Sequence, residues 1–333
     1  MKDKVKTVAL FSGGLDSILA VKLIEEQGIE VKGVNFKTPF FGLEKGVLTA
    51  KYLDIDLKII DITEELLKIL RNPKHGLGKN MNPCIDCHTL MFKKAGEYMS
   101  SIGASFILSG EVLGERPMSQ NRNSLNIIER ESGFEGRILR PLSALLLAET
   151  DPEKEGLVDR NKLLDISGRS RKRQIELADK MGIRDYPSPA GGCKLTEPAF
   201  SKRLRDLFTQ KIFYLEEIEL LKLGRHFRLS KDIKLVVGRN KEENEQLQNF
   251  FQDGDFLFKA KNLKGPVSLL RKISKVIDDE LIDKSCQITA RYCDRNEEEY
   301  EEIFIDHYRE LKGIAKTRKV KPLMEDELES LRI

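Results

Sequence analysis

The 333-residue chain has no tryptophan, only 7% aromatic residues and just five cysteines. An odd cysteine count argues against a disulfide scaffold. No apolar run is long enough to span a bilayer, so a helical membrane protein is excluded and no membrane partner is expected. The basic start runs through one apolar stretch straight into a glycine turn. No signal peptide is read there, and a cytoplasmic location is expected. Charge of one sign is also lacking: 57 Lys and Arg stand against 54 Asp and Glu, a net +3. That balance is too even to announce nucleic acid from composition alone. What is present is a heavily ionised chain, 33% charged and 40% hydrophobic, long enough for two or three cores.

The most telling stretch is Val8-Ala9-Leu10-Phe11-Ser12-Gly13-Gly14-Leu15-Asp16-Ser17. An apolar, β-branched run stops at the glycines, and a helical pattern starts at about Leu15. A strand feeding a glycine turn at a helix N-terminus aims backbone N–H groups and a positive dipole end at one point. Glycine lets the backbone approach an anion closely, and Ser12 and Ser17 add hydroxyls. Asp16 beside a phosphate makes sense if it holds Mg²⁺. The spacing fits neither the Walker loop, which needs a Lys, nor the dinucleotide G-x-G-x-x-G fingerprint.

Strand candidates at Thr7–Phe11, Val31–Phe36, Leu57–Ile62, Phe106–Ser109 and Ile138–Leu142 alternate with helices at Ser17–Gln27, Leu43–Tyr52, Glu64–Leu70 and Leu90–Ile102. This is the pattern of an α/β, doubly wound parallel sheet with its ligand at the carboxyl ends of the strands. Two long polar excursions, Pro73–Cys87 and Glu111–Gly136, break the alternation. The second follows a strand directly, which places Glu111 and Arg116 near a bound nucleotide. Residues 1–208 are expected to form this first domain, with helices over 161–208 interrupted at Tyr186–Cys193. A smaller α+β domain is expected over 225–312, with helices at Val267–Asp278 and Glu297–Leu311. A charged tail over 313–333 is expected to fray.

Cys84 and Cys87 form a CxxC ahead of a helix, whose N-terminus would favour a thiolate at Cys87. Cys193 lies in a glycine loop, Pro189–Lys194. Three such cysteines suit a [4Fe–4S] cluster with one iron free of protein ligands. Structural zinc held by Cys84, Cys87, Cys193 and His88, or a persulfide-bearing redox pair, remains open. Cys286 and Cys293 flank an alternating strand-like segment and are expected to pack in the second domain. Basic clusters at Arg169, Arg171, Lys172 and Arg173, and at Arg225, Arg228 and Arg239, are candidates for RNA phosphate contacts. With few aromatics interleaved, shape and phosphate recognition is expected over base stacking.

The glycine loop Ser12-Gly13-Gly14-Leu15-Asp16-Ser17, with Asn82-Pro83-Cys84-Ile85-Asp86-Cys87 and Ala190-Gly191-Gly192-Cys193, resembles the tRNA thiolation enzymes of the PP-loop ATP pyrophosphatases. It is most similar to the short, three-cysteine relatives of tRNA 4-thiouridine synthase and 2-thiouridylase. Lys234–Asn240 and Gly254–Ala260 resemble the RNA-binding domain of NFACT proteins. The resemblance implies a transferase of tRNA processing that uses ATP and Mg²⁺, with Phe11, Ser12, Gly13, Gly14, Asp16, Ser17, Glu111 and Arg116 at the nucleotide. It implies that Asp16, Cys84, Cys87 and Cys193 are catalytic, the three cysteines holding the cluster. A uridine carbonyl would be adenylated and replaced by sulfur from sulfide or a donor protein, 4-thiouridine being favoured over 2-thiouridine. The competing reading is an amidotransferase-like or other PP-loop ligase acting on a small molecule, with structural zinc. Because the loop opens at Ser12, neither an N-terminal RNA-binding module nor a rhodanese is expected ahead of it. A homodimer would offer one subunit's RNA-binding domain to the other's active site.

Overall fold

The computed structural model describes residues 4–186, 192–272, 277–294, 302–310 and 313–333. The chain divides into two compact units, Met1–Thr196 and Glu197–Ile333.

The first unit is built on strands β1 (Lys6–Leu10), β2 (Glu30–Lys37), β3 (Leu57–Asp61), β4 (Phe106–Ser109) and β5 (Ile138–Leu139). They form a parallel sheet in the order β3-β2-β1-β4-β5. Helices α1 (Leu15–Glu25), α2 (Glu44–Tyr52), α3 (Thr63–Arg71), α4 (Cys84–Ser101), α5 (Arg122–Ser132), α6 (Asp151–Lys154) and α7 (Lys172–Lys180) accompany it. Val8, Ala9, Phe106, Ile107 and Leu108 are all buried, as strands covered on both faces require. One side of the sheet packs Ala9, Phe106 and Leu108 against Ile18, Val21 and Ile24 of α1. The other packs Val8 and Ile107 against Phe92, Ala95 and Met99 of α4. Strand order reverses between β1 and β4, so the crevice at their carboxyl ends is the switch point where ligands bind in such sheets.

The second polar excursion holds a helix where the sequence suggested only a loop. Asn121 caps α5 by accepting from the Ser124 N–H at 2.9 Å, Leu125 and Ile128 are buried, and Gly133 ends it at φ 82°. The signal was a cap residue and a terminal glycine around an amphipathic stretch. Helix α4 starts at Cys84 rather than near Leu90, with the carbonyl of Pro83 at its N-cap position accepting from the Cys87 N–H at 2.9 Å.

The second unit comprises α8 (Pro198–Thr209), α9 (Leu215–Leu220), β6 (Arg225–Ser230), β7 (Ile233–Val237), α10 (Lys241–Asn249), β8 (Phe256–Ala260), β9 (Val267–Lys272), α11 (Asp279–Arg291), β10 (Ile303–Tyr308), β11 (Lys316–Val320) and α12 (Glu325–Leu331). Its sheet is antiparallel, in the order β11-β10-β8-β9-β7-β6. The division at Thr196 falls before the expected 208, because α8 is tied to later elements. Asp206 binds the Arg228 guanidinium, and Arg203 donates to the Leu221 carbonyl at 3.0 Å.

Four expectations are corrected here. Val267–Lys272 is a strand between β7 and β8, and a short buried apolar run reads alike in either state. Ile303–Tyr308 is a strand whose side chains alternate between buried and accessible. The residues around Cys286 are helical, since Asp278 caps α11 by accepting from the Leu281 N–H at 3.0 Å. The charged tail carries β11, paired to β10, and α12, whose Leu328 enters the core. Cys286 and Cys293 are buried in that core. Among the described residues no helix is long and apolar enough to cross a membrane.

Beneath α9, Arg271 pairs with Asp255 at 2.7 Å and with Glu217 at 2.6 Å, while Lys234 lies 3.7 Å from Glu217. Burial pushes the Lys234 ammonium down to about 8, against the pull of Glu217. The fold therefore favours the neutral amine, and the unfolded chain holds the extra proton between pH 8 and 10.5. Stability is expected to rise with pH across that window. At pH 7, Lys234→Met is expected to gain roughly 1–3 kcal/mol and to flatten the rise. Denaturant unfolding of both chains at pH 7 and 10 measures this, and an unchanged slope in the variant contradicts it.

Candidate functional site

The glycine loop sits at the carboxyl end of β1. Gly13 has φ +75°, and a Cβ there would meet the Lys45 carbonyl oxygen at 2.6 Å. No other residue type fits that position without moving the first turn of α2. Gly110 after β4 is equally constrained: its Cβ would meet the Ser17 amide nitrogen at 2.6 Å. The two loops are thus pressed together over the N-terminus of α1. The hydroxyls shape the turn, with Ser17 Oγ donating to the Gly14 carbonyl at 2.8 Å and Gly14 N–H donating to Ser12 Oγ at 3.3 Å. Phe11 is buried beneath, its N–H donating to the Val34 carbonyl at 2.8 Å. The first amides of α1 have no intrahelical acceptor, so the loop presents N–H groups and the helix dipole to an anion.

Asp16 stands in the first turn of α1. Its Oδ2 lies 3.3 Å from Arg171 Nη2. Oδ1 is buried and makes no hydrogen bond of normal geometry. Burial raises the Asp16 pKa, opposed by Arg171 and Arg116. An unsatisfied buried carboxylate oxygen at a phosphate-binding loop fits a divalent cation.

Glu111, expected at the nucleotide or metal, is instead engaged within the protein. Oε1 is 2.7 Å from His88 Nδ1, and Oε2 accepts from Arg140 Nε at 2.9 Å. Arg140 is 2% exposed and also pairs with Glu129 of α5. Burial alone would raise the Glu111 pKa, but Arg140 and His88 hold it at about 2. His88 follows Cys87 directly, so this buried network fixes the first turn of α4 against the loop after β4. Arg140, Glu129 and the His88 contact escaped sequence reasoning. The available signal was a lone arginine among apolar residues at the end of β5.

Cys84 and Cys87 lie one turn apart on α4, and Asn82 Nδ2 donates to Cys84 Sγ at 3.1 Å. The chain around Cys193 is strapped alongside: Met81 N–H donates to the Leu195 carbonyl at 3.2 Å, and Lys194 N–H to that of Phe40 at 2.8 Å. Burial pushes the Cys87 thiol far up, and nearby Cys193 and Cys84 add to the shift. The thiol is therefore favoured at Cys87, not the thiolate expected at the helix N-terminus. Burial also pushes Cys193 up, to about 11, against a lowering by Arg116. Arg116 is exposed and influences both Asp16 and Cys193. The donor chemistry fits a soft metal centre. Among the described residues, however, no three Cys, His, Asp or Glu side chains are set to hold a metal ion. Pro187–Gly191 of the expected glycine loop lies outside the described residues.

The expected RNA-binding residues divide. Arg169 and Lys172 are exposed. Arg171 faces Asp16, and Arg173 pairs with Asp165. In the second unit Arg225 lies over the Tyr292 ring at 4.5 Å. Arg228 is taken up by Asp206, and Arg239 by Glu243. Arg173, Arg228 and Arg239 are thus each engaged by a carboxylate of their own unit.

The fold and site define a PP-loop ATP-binding unit bearing converging cysteines, accompanied by an antiparallel α+β unit. Residues 3–149 match the family model described as Thiamine biosynthesis protein (ThiI), and residues 224–332 match that of the NFACT protein RNA binding domain. The first unit is thus similar to the PP-loop tRNA thiolation enzymes and the second to the NFACT RNA-binding domain. A "Probable tRNA sulfurtransferase" from Thermococcus kodakarensis is 31% identical over 163 residues, covering 46% of this chain and 39% of that one. A "tRNA-specific 2-thiouridylase MnmA" from Petrotoga mobilis is 32% identical over 130 residues, covering 32% and 35%. The chain thus spans less than half the length of these curated relatives. The solved structure of a 4-thiouridine synthetase–RNA complex with bound ATP aligns at TM-score 0.40 and 22% identity, covering 66% of this chain and 52% of that one.

Removing Arg140 would leave the buried Glu111 and the half-buried Glu129 without their guanidinium. Arg140→Met is expected to cost roughly 3–5 kcal/mol, whereas Arg137→Ala, an exposed pair with Glu155, should cost under about 1 kcal/mol. With the Glu111 pKa lowered from 4.5 to about 2, its contribution is present above pH 4.5 and is lost as pH falls toward 2. Unfolding curves for both variants at pH 7 and 3.5 provide the check. Equal losses in the two variants would contradict the network's role.

Proposed function

We propose that the chain is an ATP-dependent tRNA sulfurtransferase. The observation that carries this reading is that the glycine loop at the carboxyl end of β1 and the Cys84–Cys87 turn, hydrogen-bonded through Met81 to the Cys193 strap at Leu195, lie in one parallel-sheet unit. Nucleotide activation and sulfur chemistry would then share one unit. The names of the matched relatives and the NFACT domain support RNA as the substrate class.

Replacing a uridine carbonyl oxygen by sulfur requires a better leaving group than oxide. The carbonyl oxygen attacks the α-phosphorus of ATP, an O–P bond forms, and the bond to pyrophosphate breaks. The amides of Ser12–Ser17 stabilise the departing charge. Asp16 is the residue that would hold Mg²⁺, which supplies further charge neutralisation when bound. Sulfide then adds to the activated carbon and AMP departs with the original oxygen. Cys84, Cys87 and Cys193 are the residues that would hold a [4Fe–4S] cluster, which would supply sulfide-level sulfur there when bound. Exclusion of water from this centre would limit hydrolysis of the adenylate. Arg169, Lys172 and Arg225 are proposed to contact RNA phosphates, and 4-thiouridine is the favoured product.

Exchange of labelled pyrophosphate into ATP in the presence of tRNA tests the first half-reaction. Asp16→Ala is expected to lower it at least ~100-fold. Cys193→Ser is expected to leave exchange intact while abolishing thionucleosides in hydrolysed tRNA. Unchanged 4-thiouridine and 2-thiouridine in a deletion strain would defeat the proposal. Exchange driven by a small molecule instead of tRNA would favour the ligase reading.

A further inference from the structure

The pairing of Arg171 with Asp16 is looser than several of the arginine–carboxylate pairs among the described residues. Arg228 grips Asp206 through two nitrogens, and Arg173 holds Asp165 through both side chain and carbonyl. Arg171 offers Asp16 one nitrogen, end-on, at 3.3 Å. Asp16 Oδ1 and Arg171 Nε are both buried, and neither makes a hydrogen bond. The fork that gives such a pair its full strength is not closed here. The pair leaves the carboxylate with an oxygen for a cation and the guanidinium with an N–H for an anion.

We propose that Arg171 is a positioning residue that holds Asp16 while the loop is metal-free and moves to the nucleotide phosphates when a divalent cation takes Asp16. The inference rests on the ATP-binding reading above. An ionised Asp16 alone would repel an incoming polyphosphate. Arg171 cancels that charge until the metal arrives, then places its own charge on the anion. The framework suits a side-chain exchange. Arg171 caps the N-terminus of α7, and Leu177, Ala178 and Met181 anchor that helix against Leu15 and Leu19 of α1. The backbone thus stays in place, and only the arginine rotamer has to change. Gln174, fully buried on the same face of α7, influences the same carboxylate.

Manganese supplies a probe that does not depend on turnover. Mn²⁺ binding to the nucleotide-free chain is followed by electron paramagnetic resonance, and binding of a non-hydrolysable ATP analogue with Mg²⁺ by calorimetry. Arg171→Ala is expected to tighten Mn²⁺ by about fivefold, because its competitor is gone, and to weaken the analogue by about tenfold. Arg171→Lys should keep both values near wild type. Arg173→Ala should change neither, and Asp16→Ala should lose the Mn²⁺ site. Arg171→Gln serves in place of the alanine variant if that chain does not fold. Looser or unchanged Mn²⁺ binding in the Arg171 variants overturns the exchange. If wild type binds the analogue normally in that case, the ATP-binding reading survives; if wild type binds neither probe, both readings fall.

Discussion

A single buried cation organises the first unit. Arg140, at the end of β5, is almost wholly enclosed and lies between Glu111 and Glu129. A charge so placed is tolerable only when paired, and its partners come from the loop after β4 and from α5. Through Glu111 the same network reaches His88, and through His88 the first turn of the cysteine helix. Four segments at the carboxyl edge of the sheet are thereby held in register by one guanidinium.

That register places two chemistries side by side. The glycine loop after β1 is shaped for an anion by sterics alone, since Gly13 and Gly110 have no room for a side chain. The thiols approach from α4 and from the strap at residues 193–196. Arg116, in the loop after β4, is exposed. Cys87 and Cys193 are both pushed up by burial, and thiols so shifted stay inert until a metal or an activated partner makes ionisation favourable.

The parallel sheet and the anion loop were legible because strand, glycine turn and helix occur in the order that phosphate binding requires, and β4 is read to the residue. The second unit was less so. Val267–Lys272 was mistaken for part of a helix, since a short apolar run carries no period that separates the two states, and the alternation of Ile303–Tyr308 was passed over. Pairing with β7, β8 and β11 decided the outcome. Glu111 follows β4 as expected, but the partners that engage it within the protein could not be foreseen. Both Arg140 and Glu129 are distant in the chain, and only folding joins them. Arg171, Arg228 and Arg239 illustrate the same limit: a basic cluster in sequence says nothing of the carboxylates that will meet it.

The origin of the oxygen in AMP is the most direct test of the whole reading. A tRNA whose uridines carry heavy oxygen at the carbonyl positions would be incubated with the full chain, ATP, Mg²⁺ and sulfide under anaerobic conditions, and the AMP weighed by mass spectrometry. Heavy AMP formed in step with thiolated tRNA is the predicted result, since the carbonyl oxygen must leave on phosphorus. AMP bearing only ordinary oxygen, or ADP in its place, would contradict it.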